Sequence, residues 1–68
     1  MKYQITFKKN NFRKTIIASN YIIEDGILTF YVGLKEGEDY TEFNIYSVSF
    51  SDIKEVEIME NELTESEN

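Results

Sequence analysis

Cysteine, histidine and proline are all absent from this 68-residue chain. Without thiols, no disulfide or thiolate metal site can staple the fold. That excludes the disulfide-rich secreted class and suits a reducing, cytosolic setting. Without His and Cys, the commonest general base and the most nucleophilic side chain are missing, so the sequence is read as non-catalytic. No apolar run approaches the roughly 18 residues of a membrane span, and the opening M-K-Y-Q-I-T-F-K-K is amphipathic rather than a signal peptide. Acids are missing from the first third. Before Glu24 stand Lys2, Lys8, Lys9, Arg13 and Lys14 with no acid among them. From Glu24 onward thirteen acids face only Lys35 and Lys54, a balance of 2 − 13 = −11 inside an overall charge of −6.

Apolar and aromatic residues are present in quantity, at 41% and 15%. That is enough for a compact core in a single domain, although a chain this short buries only about 60% of its unfolded surface. The stretch Tyr21 to Val32, Y-I-I-E-D-G-I-L-T-F-Y-V, gives the strongest local signal. An Asp-Gly pair between alternating hydrophobics predicts a hairpin closed by a type I′ turn, whose two centre residues need positive φ. In it Tyr21, Ile23, Leu28, Phe30 and Val32 form the core set, leaving Ile22, Ile27 and Tyr31 on the opposite face.

Lys2 to Lys8 alternates with period two and predicts a strand with Tyr3, Ile5 and Phe7 inward. Asn10-Asn11 predicts a tight turn, because Asn tolerates the left-handed region. Phe12 to Ser19 then pairs back, with Ile16 and Ala18 inward and Ile17 outward, and Ser19-Asn20 is a break or bulge. Lys35 to Glu42 is expected to be a polar loop with Gly37 at its tip. In Phe43 to Phe50 the register changes between Phe43/Ile45 and Tyr46/Val48/Phe50, which predicts a bulge or bend near Tyr46 or a strand covered on both faces. Ser51-Asp52 turns the chain into a last strand, Ile53 to Met59. Residues 60–68, E-N-E-L-T-E-S-E-N, are expected to form a short disordered acidic tail after a single β domain of residues 1–59.

The predicted fold is therefore all-β: a small five- to six-stranded antiparallel barrel or strongly bent sheet. The first and last strands are expected to meet, bringing Lys2 and Lys8 beside Glu55 and Glu57.

Candidate sites follow from surface and charge. The acid pairs Glu24-Asp25 and Glu38-Asp39 are expected in exposed turns as solvated side chains, and the acids of E-G-E-D-Y-T-E do not match a calcium loop. No catalytic residue, metal ligand or cofactor site is assigned. Glu55 and Glu57 recur every second residue along a strand, about 6.6 Å apart, a row of carboxylates that can stand in for phosphates in a basic groove. Ile17, Ile22, Ile27, Tyr31 and Tyr46 are read as a second face, and of these Ile22, Ile27, Tyr31 and Tyr46, with Tyr40 of the acidic loop, Glu38, Asp39 and the two β-strand acids, make up the expected partner-binding set. An alternative basic patch, Lys8, Lys9, Phe12, Arg13 and Lys14, has the composition of a nucleic-acid contact, opposed by the acidic remainder.

The runs A-S-N-Y-I-I-E-D-G-I-L-T-F-Y, F-N-I-Y-S-V and S-D-I-K-E-V-E-I, with their Lys, Asn, Ile, Glu and Tyr bias, make the chain from Lys2 to Ile58 resemble the small acidic β proteins of phages and prophages in low-GC Gram-positive bacteria. That resemblance implies a mobile-element accessory protein, such as an anti-CRISPR or other anti-defence inhibitor. Such a protein works in the host cytosol by binding a host protein with a basic surface, for instance a nuclease or defence complex. It carries over no family site. The first expectation is thus a non-catalytic phage-type inhibitor acting through an acidic, DNA-mimicking and Tyr/Ile-rich surface. The alternative is a homo-oligomeric assembly protein, a homodimer at its simplest. Nucleic-acid binding through the basic hairpin ranks third, and no membrane partner is expected.

Overall fold

A computed structural model describes residues 1–59; the expected acidic tail, including Glu60 and Glu62, lies outside the described residues. Six strands run in order: β1 (Lys2–Phe7), β2 (Arg13–Ile17), β3 (Asn20–Glu24), β4 (Ile27–Glu36), β5 (Asp39–Ser49) and β6 (Ile53–Met59), with 3₁₀ turns at Lys9–Asn11 and Phe50–Asp52. They form two three-stranded antiparallel sheets, β2-β1-β6 and β3-β4-β5. The fold is all-β, as the alternation implies. The two sheets remain separate, so the sheet bends into two layers without closing as a barrel.

The turns obey local backbone chemistry. Asn10 and Asn11 both adopt positive φ (58° and 53°), which lets β2 fold back on β1. Asp25 (53°) and Gly26 (76°) close the β3–β4 hairpin with positive φ at both centres, as an Asp-Gly type I′ turn requires. Gly37 has φ +62° while Glu38 does not share the positive sign, the pattern of a two-residue turn with glycine first. Lys35 to Glu42 is thus mostly strand rather than the expected polar loop. Only Gly37 and Glu38 turn, and the ladder runs on through Lys35↔Tyr40 to Glu36↔Asp39. Backbone pairing does not require apolar side chains, so a charged run lengthened the hairpin without showing the alternation that signals a strand.

The core lies between the sheets. Tyr3, Ile5, Ile16, Ala18 and Ile53 come from the first layer and Leu28 and Phe30 from the second, with Tyr3, Ile5, Leu28 and Phe30 fully buried. Tyr3 meets Tyr21 edge-on at 5.5 Å and Phe30 at 5.2 Å, a three-ring contact that locks the layers together. Burying each such side chain is worth about 1.5–3 kcal/mol, and four fully buried ones make a small core.

The chain passes between layers at two places. At the first, the Ala18 N–H donates to the Met1 carbonyl in one sheet (3.0 Å) and the next residue, Ser19, donates to the Tyr31 carbonyl in the other (2.8 Å). The Ser19 hydroxyl then accepts the Gly33 N–H at 2.9 Å, the last bond β4 receives on that side. The expected break at Ser19-Asn20 is this crossing. At the second, the Phe50 N–H donates to the Gly26 carbonyl (2.8 Å) and the Lys8 N–H to the Asp52 carbonyl (2.9 Å).

β1 does pair with β6, joining the first and last strands. Glu57 lies opposite Gln4 and Glu55 opposite Thr6, so the lysines are not the direct partners of these acids. A register shift after Thr6, which sets Phe7 against Ile53, places Lys8 beyond the ladder.

Candidate functional site

Strand length decides what the core leaves uncovered. β4 and β5 have ten and eleven residues; the strands of the facing sheet have six, five and seven. Beyond Gly33, β4 also has no β3 partner. From Gly33 to Phe43 the chain is therefore a two-stranded ribbon projecting past the packed layers.

One face of this ribbon continues the core face of β4. Leu28, Phe30, Val32 and Leu34 share that side by alternation, and Phe43 is paired with Val32. The pairing slips between Phe30↔Tyr46 and Tyr31↔Asn44, which leaves Ile45 as the extra residue of a β-bulge. The bulge keeps Phe43 and Tyr46, three residues apart, on the core side of β5. Leu28 and Phe30 are completely buried on this face, whereas Leu34 and Phe43 are about half exposed, as is Ile45. A shallow hollow of ≈ 110 Å³ lies among Leu34, Glu36, Asp39, Thr41 and Phe43. Glu36, Glu38, Asp39 and Glu42 surround the tip, with Lys35 as the cation of the segment.

The opposite face of the ribbon carries Tyr40. A Cβ on Gly33 would lie 2.8 Å from the Tyr40 ring carbon that bears the hydroxyl, so the aromatic ring covers the bare glycine backbone. The Tyr40 hydroxyl has its pKa raised above 10.0, first by desolvation, then by the neighbouring Glu42 carboxylate and by Tyr31.

The residues read from sequence as a partner surface do not come together. Ile22, Ile27, Tyr31 and Tyr40 do share the outer face of the second sheet. However, polar groups separate them: Thr29 lies opposite Ile22, and its hydroxyl shares a 2.9 Å hydrogen bond with that of Ser47. Tyr46 does not belong to that face. The bulge turns it inward, where it packs half-buried against the core with the Lys14 ammonium 5.2 Å above its ring. Glu38 and Asp39 sit at the ribbon tip and its approach. Glu55 and Glu57 lie on β6, on the outer side of the other sheet, so they cannot meet one flat partner together with Ile22 and Tyr31.

The basic patch is likewise split. Lys8 and Lys9 flank a cleft of ≈ 480 Å³ with Phe7 and Asp52, and Phe12, 62% exposed, meets Phe7 at 5.7 Å with the ring planes tilted by 46°. Arg13 and Lys14 are adjacent in a strand and take opposite faces, and Lys14 goes to the core side. Lys54 joins the patch instead: its ammonium donates to the Asn11 side-chain oxygen at 2.9 Å across 43 residues of sequence. No local pattern pointed to Lys54, because the β1–β6 pairing alone brings it there.

Sequence reasoning also left Leu34 unassigned and read Phe43 and Ile45 only as strand residues. The available signal was the length of the hairpin implied by Gly37 as a two-residue turn. Among the described residues no group of three His, Cys, Asp or Glu is placed to hold a metal ion, and no helix is long and apolar enough to cross a membrane. No protein-family model, curated protein or solved structure matches the chain.

Proposed function

We propose that the chain is a non-catalytic protein-binding module with the β4–β5 ribbon as its docking element. The observation that carries this reading is the uncovered continuation of the core face through Leu34 and Phe43. Apolar residues that project beyond a packed domain gain free energy when a partner covers them, and acids around them steer the encounter toward a basic surface. An inhibitor of a defence or nucleic-acid enzyme is the finer form of the proposal. Glu38 and Asp39 beside the apolar face support it better than Glu55 and Glu57, which stand on a different surface.

The test is a cleavage assay with a purified DNA-cutting enzyme that has a basic substrate groove, titrated with the protein at low and high salt. Inhibition should weaken as salt rises, since exposed charges are screened beyond about 10 Å at 0.1 M. Glu38→Lys with Asp39→Lys should restore cleavage. If Glu55→Lys with Glu57→Lys restores it instead, the β6 row is the mimic. Inhibition that ignores salt removes the electrostatic argument.

A homo-oligomeric assembly protein is the second reading, favoured by the presence of acidic-apolar and basic-aromatic surfaces on one chain. Nucleic-acid contact through Lys8, Lys9 and Phe12 ranks third. It requires a gel shift that survives moderate salt and is lost in Phe12→Ala.

A further inference from the structure

The ribbon is acidic, the patch around Phe12 at the other end is locally basic, and both carry bare apolar surface. At the ribbon, Leu34 is 53% exposed and Phe43 49%, and Glu36, Glu38, Asp39 and Glu42 against Lys35 give 1 − 4 = −3. At the other end, exposed Phe12 lines a hollow of ≈ 340 Å³ with Phe7, Lys9 and Asn10, which shares Phe7 and Lys9 with the ≈ 480 Å³ cleft of Phe7, Lys8, Lys9 and Asp52. Lys54 adds a further cation there through Asn11, and Asp52 is the acid in the lining of the cleft; Glu24 and Asp25 belong to the β3–β4 turn of the other sheet, outside that lining.

These surfaces cannot meet within one molecule. The hydrogen bonds Phe50 N–H to Gly26 and Lys8 N–H to Asp52 gather the β3–β4 turn, the second 3₁₀ turn and the end of β1 at one end. The ribbon tip lies ten residues further along β4, about 33 Å away at 3.3 Å per residue.

We propose that the ribbon of one molecule docks head to tail on the Phe12–lysine end of a second copy. This rests on the reading of the chain as a protein-binding module and commits its partner to another copy of the same chain. Charge decides the arrangement. Ribbon against ribbon sets −3 against −3, and basic end against basic end sets lysines against lysines. Only the head-to-tail contact pairs opposite signs around apolar centres. Such a contact is heterologous, so each added molecule leaves one ribbon and one basic end free, and the assembly grows as a ring or a filament. The apolar area is small beside that of stable interfaces, so association is weak and depends on concentration and salt.

The experiment is sedimentation of the full chain from ~10 µM to ~1 mM. Average mass should rise with concentration at low salt, and association should fall by about tenfold or more as salt is raised to about 0.5 M. Two variants each lose one half of the contact: Phe43→Ser with Asp39→Lys, and Phe12→Ser with Lys8→Glu. Each alone should stay monomeric, and their equimolar mixture should stop at a one-to-one dimer. A dilution series followed by amide NMR of the unmodified protein serves if a variant does not fold. Shifts should appear at Leu34 and Phe43 and also at Lys8 and Phe12. A monomer at ~1 mM in low salt, or shifts confined to one of the two surfaces, overturns the proposal. A monomer would leave the binding-module reading intact, because the cleavage assay tests that reading without self-association.

Discussion

Single residues show how little redundancy the core has. Phe30 has no exposed surface and touches both Tyr3 and Tyr21. Phe30→Ala should cost about 3–5 kcal/mol, against a total of about 3–10 kcal/mol for a chain of this size. Circular dichroism should find it largely unfolded at 37 °C. Ile17→Ser, at a site 70% exposed on the outer face of β2, should change stability by no more than about 0.5 kcal/mol. Tyr3 adds a pH dependence. Burial, then the neighbouring Tyr21 and Tyr31 hydroxyls, raises its pKa above 10.0. The folded state therefore favours the neutral phenol. Its contribution is complete below pH 10 and is lost as pH rises through the raised value. Urea midpoints measured at about pH 8 and about pH 11 should fall more for the native chain than for Tyr3→Phe; equal falls would exclude Tyr3 as the source.

The decisive elements are the turns and the bulge. Gly26 has open space around its absent side chain, so Gly26→Val is penalised by φ +76° alone, at about 1–3 kcal/mol. Gly33 is the reverse case. Its φ is ordinary and the obstacle is the Tyr40 ring. Gly33→Ala should lower the melting temperature in the native chain and have little effect in a Tyr40→Ala background; additive losses in that double-mutant cycle would show that the ring is not the obstacle. The Asp25-Gly26 turn, the Asn10-Asn11 turn and the inward set Ile16/Ala18 were all legible in the sequence, because each rests on a local rule about φ or alternation. The loop expected at Lys35–Glu42 was not, because charged side chains hid a ladder held by backbone bonds. The bulge expected near Tyr46 is there, at Ile45, but Tyr46 was misplaced on the second face, because only pairing with β4 decides which of the two registers of β5 packs on the core.

For the whole molecule, the mismatch between ten- and eleven-residue strands and a facing sheet of five to seven produces the ribbon. Leu34→Ser with Phe43→Ser should leave the urea midpoint nearly unchanged, within about 1 kcal/mol, because neither side chain supports the packed layers. The same variant should elute earlier from a hydrophobic-interaction column. A large loss of stability would mean that the ribbon face is covered in the isolated molecule.

The candidate surfaces divide along the same line as the fold. Most strands, the tight turns, the separation of positive and negative charge and the alternating core set were legible in the sequence, except that Ile23, expected inward, is 45% exposed at the end of its hairpin; these features follow from rules acting over a few neighbouring residues. Which strands share a sheet, where β4 outruns its cover, that Lys54 joins Asn11, and that Glu55 and Ile22 stand on different layers were settled by folding alone. Those outcomes depend on pairing between distant segments, and a one-residue slip in that pairing sends every side chain of a strand to the other face.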